Sequence, residues 1–259
     1  MDNTLLEKAE YLGFTWLKEN WNTVVKNAQK KSPSYQAFLA NILTMEYEHK
    51  HERRRLSRLQ RAKIPEMLTM DTFPFERQPK LKKKTVLQVY DSLQYMNESR
   101  VLLFAGPTGC GKSGLATSFL VHAINNGCNG LFMDFNELIA KLYQSCADNS
   151  QARLIKRLAT IDCLLIDEFG YIPIDESKAG LFFDLMKTRH RKKCTIITSQ
   201  LGFDAWGGVI KNQHITAAII DRITENCAVF NMTKCVSLRE KKIMFATDET
   251  ASPVDNAKK

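Results

Sequence analysis

The residues Gly106-Pro-Thr-Gly-Cys-Gly-Lys112-Ser113 have the types and spacing to cradle a nucleoside triphosphate. In the pattern Gly-x4-Gly-Lys-Ser, backbone N–H groups surround the phosphates, the lysine reaches the β- and γ-phosphates, and the serine hydroxyl serves Mg²⁺. Gly106, Gly109 and Gly111 allow close approach and positive φ, and Pro107, Thr108 and Cys110 complete the loop. Farther along, Leu164-Leu-Ile-Asp167-Glu168 reads as a buried strand ending in two carboxylates. Asp167 is the candidate to hold magnesium through a water, and Glu168 to orient and deprotonate the attacking water. Thr198-Ser199-Gln200 closes another strand, where Gln200 or Ser199 can sense the γ-phosphate while Thr198 ends the strand. The adjacent glutamate favours hydrolysis of ATP over phosphoryl transfer to a metabolite. The bland reading, an exposed Asp-Glu pair at a strand end, loses force once the phosphate loop is in place.

These groups need a scaffold that gathers strand ends on one edge. From about residue 85 the sequence alternates apolar runs with helical periods. Strands are expected at Val101–Ala105, Leu131–Phe135, Ile161–Ile166, Thr195–Thr198 and Ala228–Met232. Helices are expected at Lys112–Asn125, Glu137–Cys146, Gln151–Ala159, Ser177–Lys192 and Thr216–Asn226. Such alternation implies an α/β fold, a parallel sheet flanked by helices, with ligands at the carboxyl edge. The stretch before it reads as helical, without glycine except Gly13, and Ser32-Pro33 is a plausible helix start. Residues 63–84, punctuated by Pro65, Pro74 and Pro79, read as a linker or strap.

The charge is uneven. Residues 1–84 hold 17 Lys/Arg against 10 Asp/Glu, whereas 85–259 hold 20 against 18. A basic end on a nearly neutral core points to a polyanion-binding module, with a merely solvated surface as the alternative. Lys50, Arg54, Arg58 and Arg61 fall at near-helical spacing, flanked by Arg53, Arg55 and Lys63. No aromatic side chains interleave this run, so contact with a duplex backbone fits better than base stacking. If about four phosphates are neutralised per subunit, log K falls with log salt at a slope of about −3.6. Lys187, Arg189, Arg191, Lys192 and Lys193 offer a second basic path. Seven cysteines without a C-x-x-C pair argue against a disulfide framework or zinc cluster and fit a reducing cytoplasm. No apolar run is long enough to span a bilayer, and the start lacks a secretory h-region.

GPTGCGKS, LLIDEFGYIPID, TIITSQ and AIIDRI, in this order, resemble the IstB family, AAA+ helper ATPases of insertion sequences related to DnaC-type helicase loaders. FLANILTMEYEHKHERRRLSRLQRAKIP leading into DTFPF adds to the resemblance, which runs from roughly Tyr35 to Arg239. It implies an AAA+ P-loop NTPase core plus a small all-α N-terminal domain that contacts DNA. It also implies homo-oligomers with ATP sites between subunits and an arginine supplied in trans, which maps onto Arg222; on sequence alone Arg222 could simply pair with Asp221 or Glu225. Cys235-Val-Ser237-Leu-Arg239 lacks the glycine that the family often shows before Ser-x-Arg, and the chain after the last strand is too short for the full C-terminal lid of larger AAA+ proteins, as the resemblance implies.

The expected organisation is therefore a basic helical DNA-binding domain at 1–68, an ATPase domain at 69–248 and a flexible tail at 249–259. The leading expectation is a transposition helper that assembles on double-stranded target DNA and recruits or regulates a cognate transposase, using ATP and Mg²⁺ to control assembly. The alternative is a DnaC-like replicative helicase loader acting on single strands; a small-molecule kinase and an architectural protein with a decayed site fit less well.

Overall fold

Five short apolar runs pair in parallel, because each is joined to the next through at least one helix. They are β1 (Val101–Ala105), β2 (Gly130–Asp134), β3 (Cys163–Phe169), β4 (Cys194–Ser199) and β5 (Cys227–Asn231), in the order β2-β3-β4-β1-β5. The computed structural model describes residues 3–239, so the tail expected at 249–259 lies outside the described residues. The central strands are buried on both faces and so read as unbroken apolar runs. Alternate residues serve different cores. Leu103, Leu164, Ile166 and Ile197 pack under α7 (Phe135–Ala147), α8 (Gln151–Thr160), α9 (Glu176–Arg189) and α10 (Gln213–Thr224). Leu102, Phe104, Leu165 and Ile196 pack under α4 (Lys83–Ser92), α5 (Gln94–Asn97) and α6 (Lys112–Asn125).

Three helices make up the N-terminal region: α1 (Asn3–Tyr11), α2 (Thr15–Lys31) and α3 (Tyr35–Arg61). The expected helix start at Ser32-Pro33 moves forward by two residues. Ser32 instead ends α2 in a left-handed conformation, φ 43°, and Ser34 caps α3 by accepting from the Ala37 N–H at 3.2 Å. The N-terminus of α2 has no local cap. Glu46, 5% exposed on α3, accepts the Leu17 N–H at 3.0 Å and supplies one from across the helix pair.

The far end of α3 docks on the ATPase core. Ala62 is fully buried, its carbonyl accepts the Phe132 N–H of edge strand β2 at 2.8 Å, and Arg55 reaches Asn125 of α6 at 3.0 Å. The segment read as a linker is equally engaged: Met70, Gln78 and Leu81 are buried, and two short 3₁₀ turns shape it. Helix α4, starting at Lys83, lies where lysine crowding hid an amphipathic period; Val86 is its buried residue.

Candidate active site

The carboxyl ends of β1, β3 and β4 meet at one cleft of about 310 Å³. After β1 the chain turns through Gly109 and Gly111, φ 80° and 94°, and enters α6 at Lys112. These left-handed positions need glycine for backbone reasons. At Gly106 the reason is space, since a Cβ would stand 2.7 Å from the Met232 carbonyl. Thr108, Gly109, Gly111, Lys112 and Ser113 line the cleft. Cys110 turns its side chain down into the core, and Pro107 gives its carbonyl to the Lys112 ammonium at 2.8 Å. Burial draws Lys112 below the usual lysine range, against the pull of the Asp167 and Glu168 carboxylates.

Strand β3 carries an irregularity that no pattern in the sequence announces. Ile166 pairs with Ile197 and Phe169 with Ser199, so β3 uses Asp167 and Glu168 where β4 uses Thr198 alone. This one-residue bulge puts Glu168 at φ 59° and leaves it the exposed residue of an otherwise buried strand, lining the cleft. A non-glycine residue in that region costs on the order of 1–3 kcal/mol, the kind of strain that collects at functional sites. Asp167 lies just below the cleft surface, 9% exposed.

Thr198 does more than end its strand. Its hydroxyl donates to Asp167 Oδ1 and accepts the Glu168 N–H at 3.0 Å, fixing both carboxylate residues at once. Ser199 is fully buried, with its hydroxyl donating to the Phe169 carbonyl and accepting the Leu201 N–H. Of the two sensor candidates, only Gln200 lines the cleft.

The other wall comes from residues that the sequence reading left in the linker or undecided. Leu68, Thr69, Thr72, Phe73 and Pro74 of the strap line it together with Leu238 and Arg239 of the C-terminal arm. A Cβ on Gly111 would meet both Phe73 and Leu238 at 2.9 Å, so strap and C-terminal arm converge over the loop. Gln78 fastens them: fully buried, it donates to the Cys110 and Val236 carbonyls at 3.1 and 2.7 Å and accepts the Val236 N–H at 3.0 Å. Leu238 N–H adds a bond to the Gly109 carbonyl at 2.8 Å. The signal was present, since Phe73 and Phe75 are costly aromatics for a solvated linker.

Arg222 does not line this cleft. It sits near the end of α10, over the Phe183 ring at 4.6 Å, and donates to the Ala218 carbonyl of its own helix. Asp221 is not its ion-pair partner in the structure, and Glu225 pairs instead with His190 and Arg191. The basic helix is divided. Lys50, Arg53 and Arg54 are exposed, while Arg55 is held by both oxygens of Glu52. Arg58 and Arg61 turn towards the β2 edge, where they line a separate cleft. The second basic path does not form as read. Arg189 is 1% exposed, its guanidinium holding the carbonyls of Leu158, Ile161 and Cys194 and the Thr195 hydroxyl, and Lys193 pairs with Asp162.

The IstB-like ATP binding protein family matches residues 7–246. The chain is 31% identical to the ATP-binding protein of insertion sequence IS21 from Pseudomonas aeruginosa, over 90% of this chain and 88% of that one. It is 28% identical to the corresponding protein of IS232 from Bacillus thuringiensis subsp. berliner, over 88% and 91%. Among solved structures, the DnaC helicase loader superposes with a TM-score of 0.51 at 19% identity, covering 58% of this chain and 90% of DnaC. The replication initiator DnaA bound to AMPPCP and single-stranded DNA gives 0.54 at 15%, covering 66% and 51%. These two likenesses show the fold, the AAA+ arrangement. With a complete phosphate loop, a carboxylate pair at the end of β3 and a family match over nearly its whole length, this chain belongs to the IstB-like ATP-binding proteins and is an ATPase with an AAA+ fold.

Proposed function

We propose that this chain is a transposition helper that assembles on duplex DNA, recruits or regulates a transposase, and uses ATP hydrolysis to limit the lifetime of the assembly. One observation carries the reading: the basic helix α3 ends on the ATPase core itself, through Ala62 and Phe132, so a DNA grip and a nucleotide cleft belong to one mechanical unit. The relatives' association with insertion sequences supplies the context. Lys50, Arg53, Arg54, Arg58 and Arg61 meet the phosphate backbone, which grips many sequences with little base reading. Residues 1–68 form the DNA-binding part and residues from 69 the ATPase part.

In the cleft, Lys112 and the loop amides hold the phosphates, Glu168 accepts a proton from the attacking water, and Gln200 senses the γ-phosphate. Ser113 and Asp167 offer hard oxygen ligands that suit Mg²⁺, with Asp167 oriented by Thr198. The ion, when bound, neutralises charge on the phosphates. Arg222 lies outside its own cleft and acts on the neighbouring subunit's nucleotide, which ties turnover to assembly.

The test uses Glu168→Gln. This variant is expected to bind ATP and duplex DNA as the wild type does while turnover falls by about 10²–10⁴-fold, the range for loss of a general base. Rapid hydrolysis by the variant removes Glu168 from the mechanism. ATP-dependent assembly on single strands alone, measured by particle size, favours helicase loading over transposition.

A further inference from the structure

Beside edge strand β2 lies a second cleft, of about 560 Å³, on the side of the sheet away from the β5 edge. Its lining brings together Arg58 and Arg61 of α3, Lys63 just beyond it, Lys141 of α7 and Arg157 of α8. The rest of the lining is neutral: Asn129, Gly130, Leu131, Met133, Thr160 and Ile161. No carboxylate among the described residues lines it. Lys141 alone of the five has an ion-pair partner among the described residues, the exposed Glu137. The Nε of Arg58 is buried and makes no hydrogen bond.

Four of these five cations have no ion-pair partner among the described residues, so the cluster repels itself, and the groove focuses its field. They come from three chain segments, around residues 58–63, 141 and 157, so helical periodicity along α3 cannot account for the gathering. The assembly is also fixed in place. The Phe132 N–H bond to the Ala62 carbonyl holds the end of α3 against β2, and Asp134 caps α7 by accepting from the Asn136 and Glu137 N–H groups. Strand β2 pairs with β3 so that Asp134 lies opposite Asp167. The groove is thereby one strand away from the catalytic carboxylates.

We infer that this groove binds the phosphate backbone of a nucleic acid and that the ATPase domain itself, through Lys141 and Arg157, supplies two of its five cations. The inference rests on the DNA-binding reading of α3 and extends it: the track leaves the helical module and crosses onto the edge of the ATPase sheet. Arginine and lysine donors suit phosphate oxygens, and a lining without aromatic side chains gives bases nothing to stack on. Because the track touches both the α3 end and β2, which pairs with β3, DNA seated there stiffens the strand beside the catalytic bulge.

The test is salt-dependent binding of the full chain, with ATP, to a random-sequence duplex and to a single strand. The variants are Lys141→Gln/Arg157→Gln, Arg54→Gln and, as a control on α8 beside Arg157, Lys156→Gln. Losing two phosphate contacts reduces the steepness of log K against log salt by about 1.8, which is about 60-fold in affinity at 0.1 M salt. The double variant is expected to show that change on the duplex, and Lys156→Gln to show none. If wild type binds duplex and Arg54→Gln weakens it, while the double variant keeps the wild-type slope and affinity, the groove is refuted and the reading of α3 stands. If wild type binds neither form, both fall. If the slope changes only on the single strand, the groove is a single-strand track and the duplex reading falls. Thermal unfolding of the double variant separates a lost contact from a lost fold.

Discussion

Leucine in place of Gln78 is expected to weaken the fold and the nucleotide site together. The side chain is fully buried and makes three hydrogen bonds, to the carbonyls of Cys110 and Val236 and from the N–H of Val236. Leucine fills nearly the same volume, so packing changes little and the polar loss dominates. At ~1 kcal/mol per bond the substitution removes about 3 kcal/mol. For a domain of this size that lowers the unfolding midpoint by about 6–12 °C. The partners of those bonds decide the functional share, because Cys110 belongs to the phosphate loop and Val236 to the arm that carries Leu238 and Arg239 into the cleft. If a third of the loss falls on that geometry, ATP binds about fivefold more weakly. Differential scanning fluorimetry with and without ATP, together with direct nucleotide titration, reads both effects. A variant that loses the expected stability yet keeps wild-type ATP affinity shows that Gln78 is only an internal brace, and the positioning argument is wrong.

Three further outcomes follow from the same geometry. Mixing Lys112→Ala, which keeps Arg222, with Arg222→Ala, which keeps an intact cleft, is expected to restore ATPase activity that neither has alone; a mixture as inactive as its parts refutes an arginine given in trans. Gly106→Ala is expected to abolish soluble, ATP-competent protein, because the added methyl meets the Met232 backbone rather than a movable side chain; normal expression and affinity would show that the strand ends separate freely. Asp162 is partly desolvated, but bonds from Lys193 and Asn129 outweigh that and hold its carboxyl below the usual range. Its stabilisation is therefore present above the ordinary carboxylate pKa and lost as pH falls through the depressed one. Asp162→Asn should cost about 1 kcal/mol at neutral pH. Chemical denaturation should find that gap closing below about pH 4, and a gap that persists to pH 2 contradicts the assignment.

The sequence by itself determined the chemistry and the scaffold. The phosphate loop and the Asp-Glu pair are local patterns, and strands buried on both faces appear as continuous apolar runs, so β1 and α6 fall where the residues place them. Local patterns cannot show what depends on a partner. The bulge that exposes Glu168 exists because β3 must keep register with β4 on either side of Thr198. Thr198, which looked like a strand terminus, acquires its role only when that register sets its hydroxyl between two carboxylate residues. Pro74 and Pro79 made the strap look like a linker, yet Phe73 and Gln78 have their purpose in the loop and arm that folding brings beside them. The basic helix was legible as a stripe of charge. Only the docking of α3 on β2 divided it, leaving Lys50, Arg53 and Arg54 outward and gathering Arg58 and Arg61 with Lys141 and Arg157. Long-range packing made that division, because charges distant in the chain share a surface only after the backbone bond that holds β2 to Ala62 is formed.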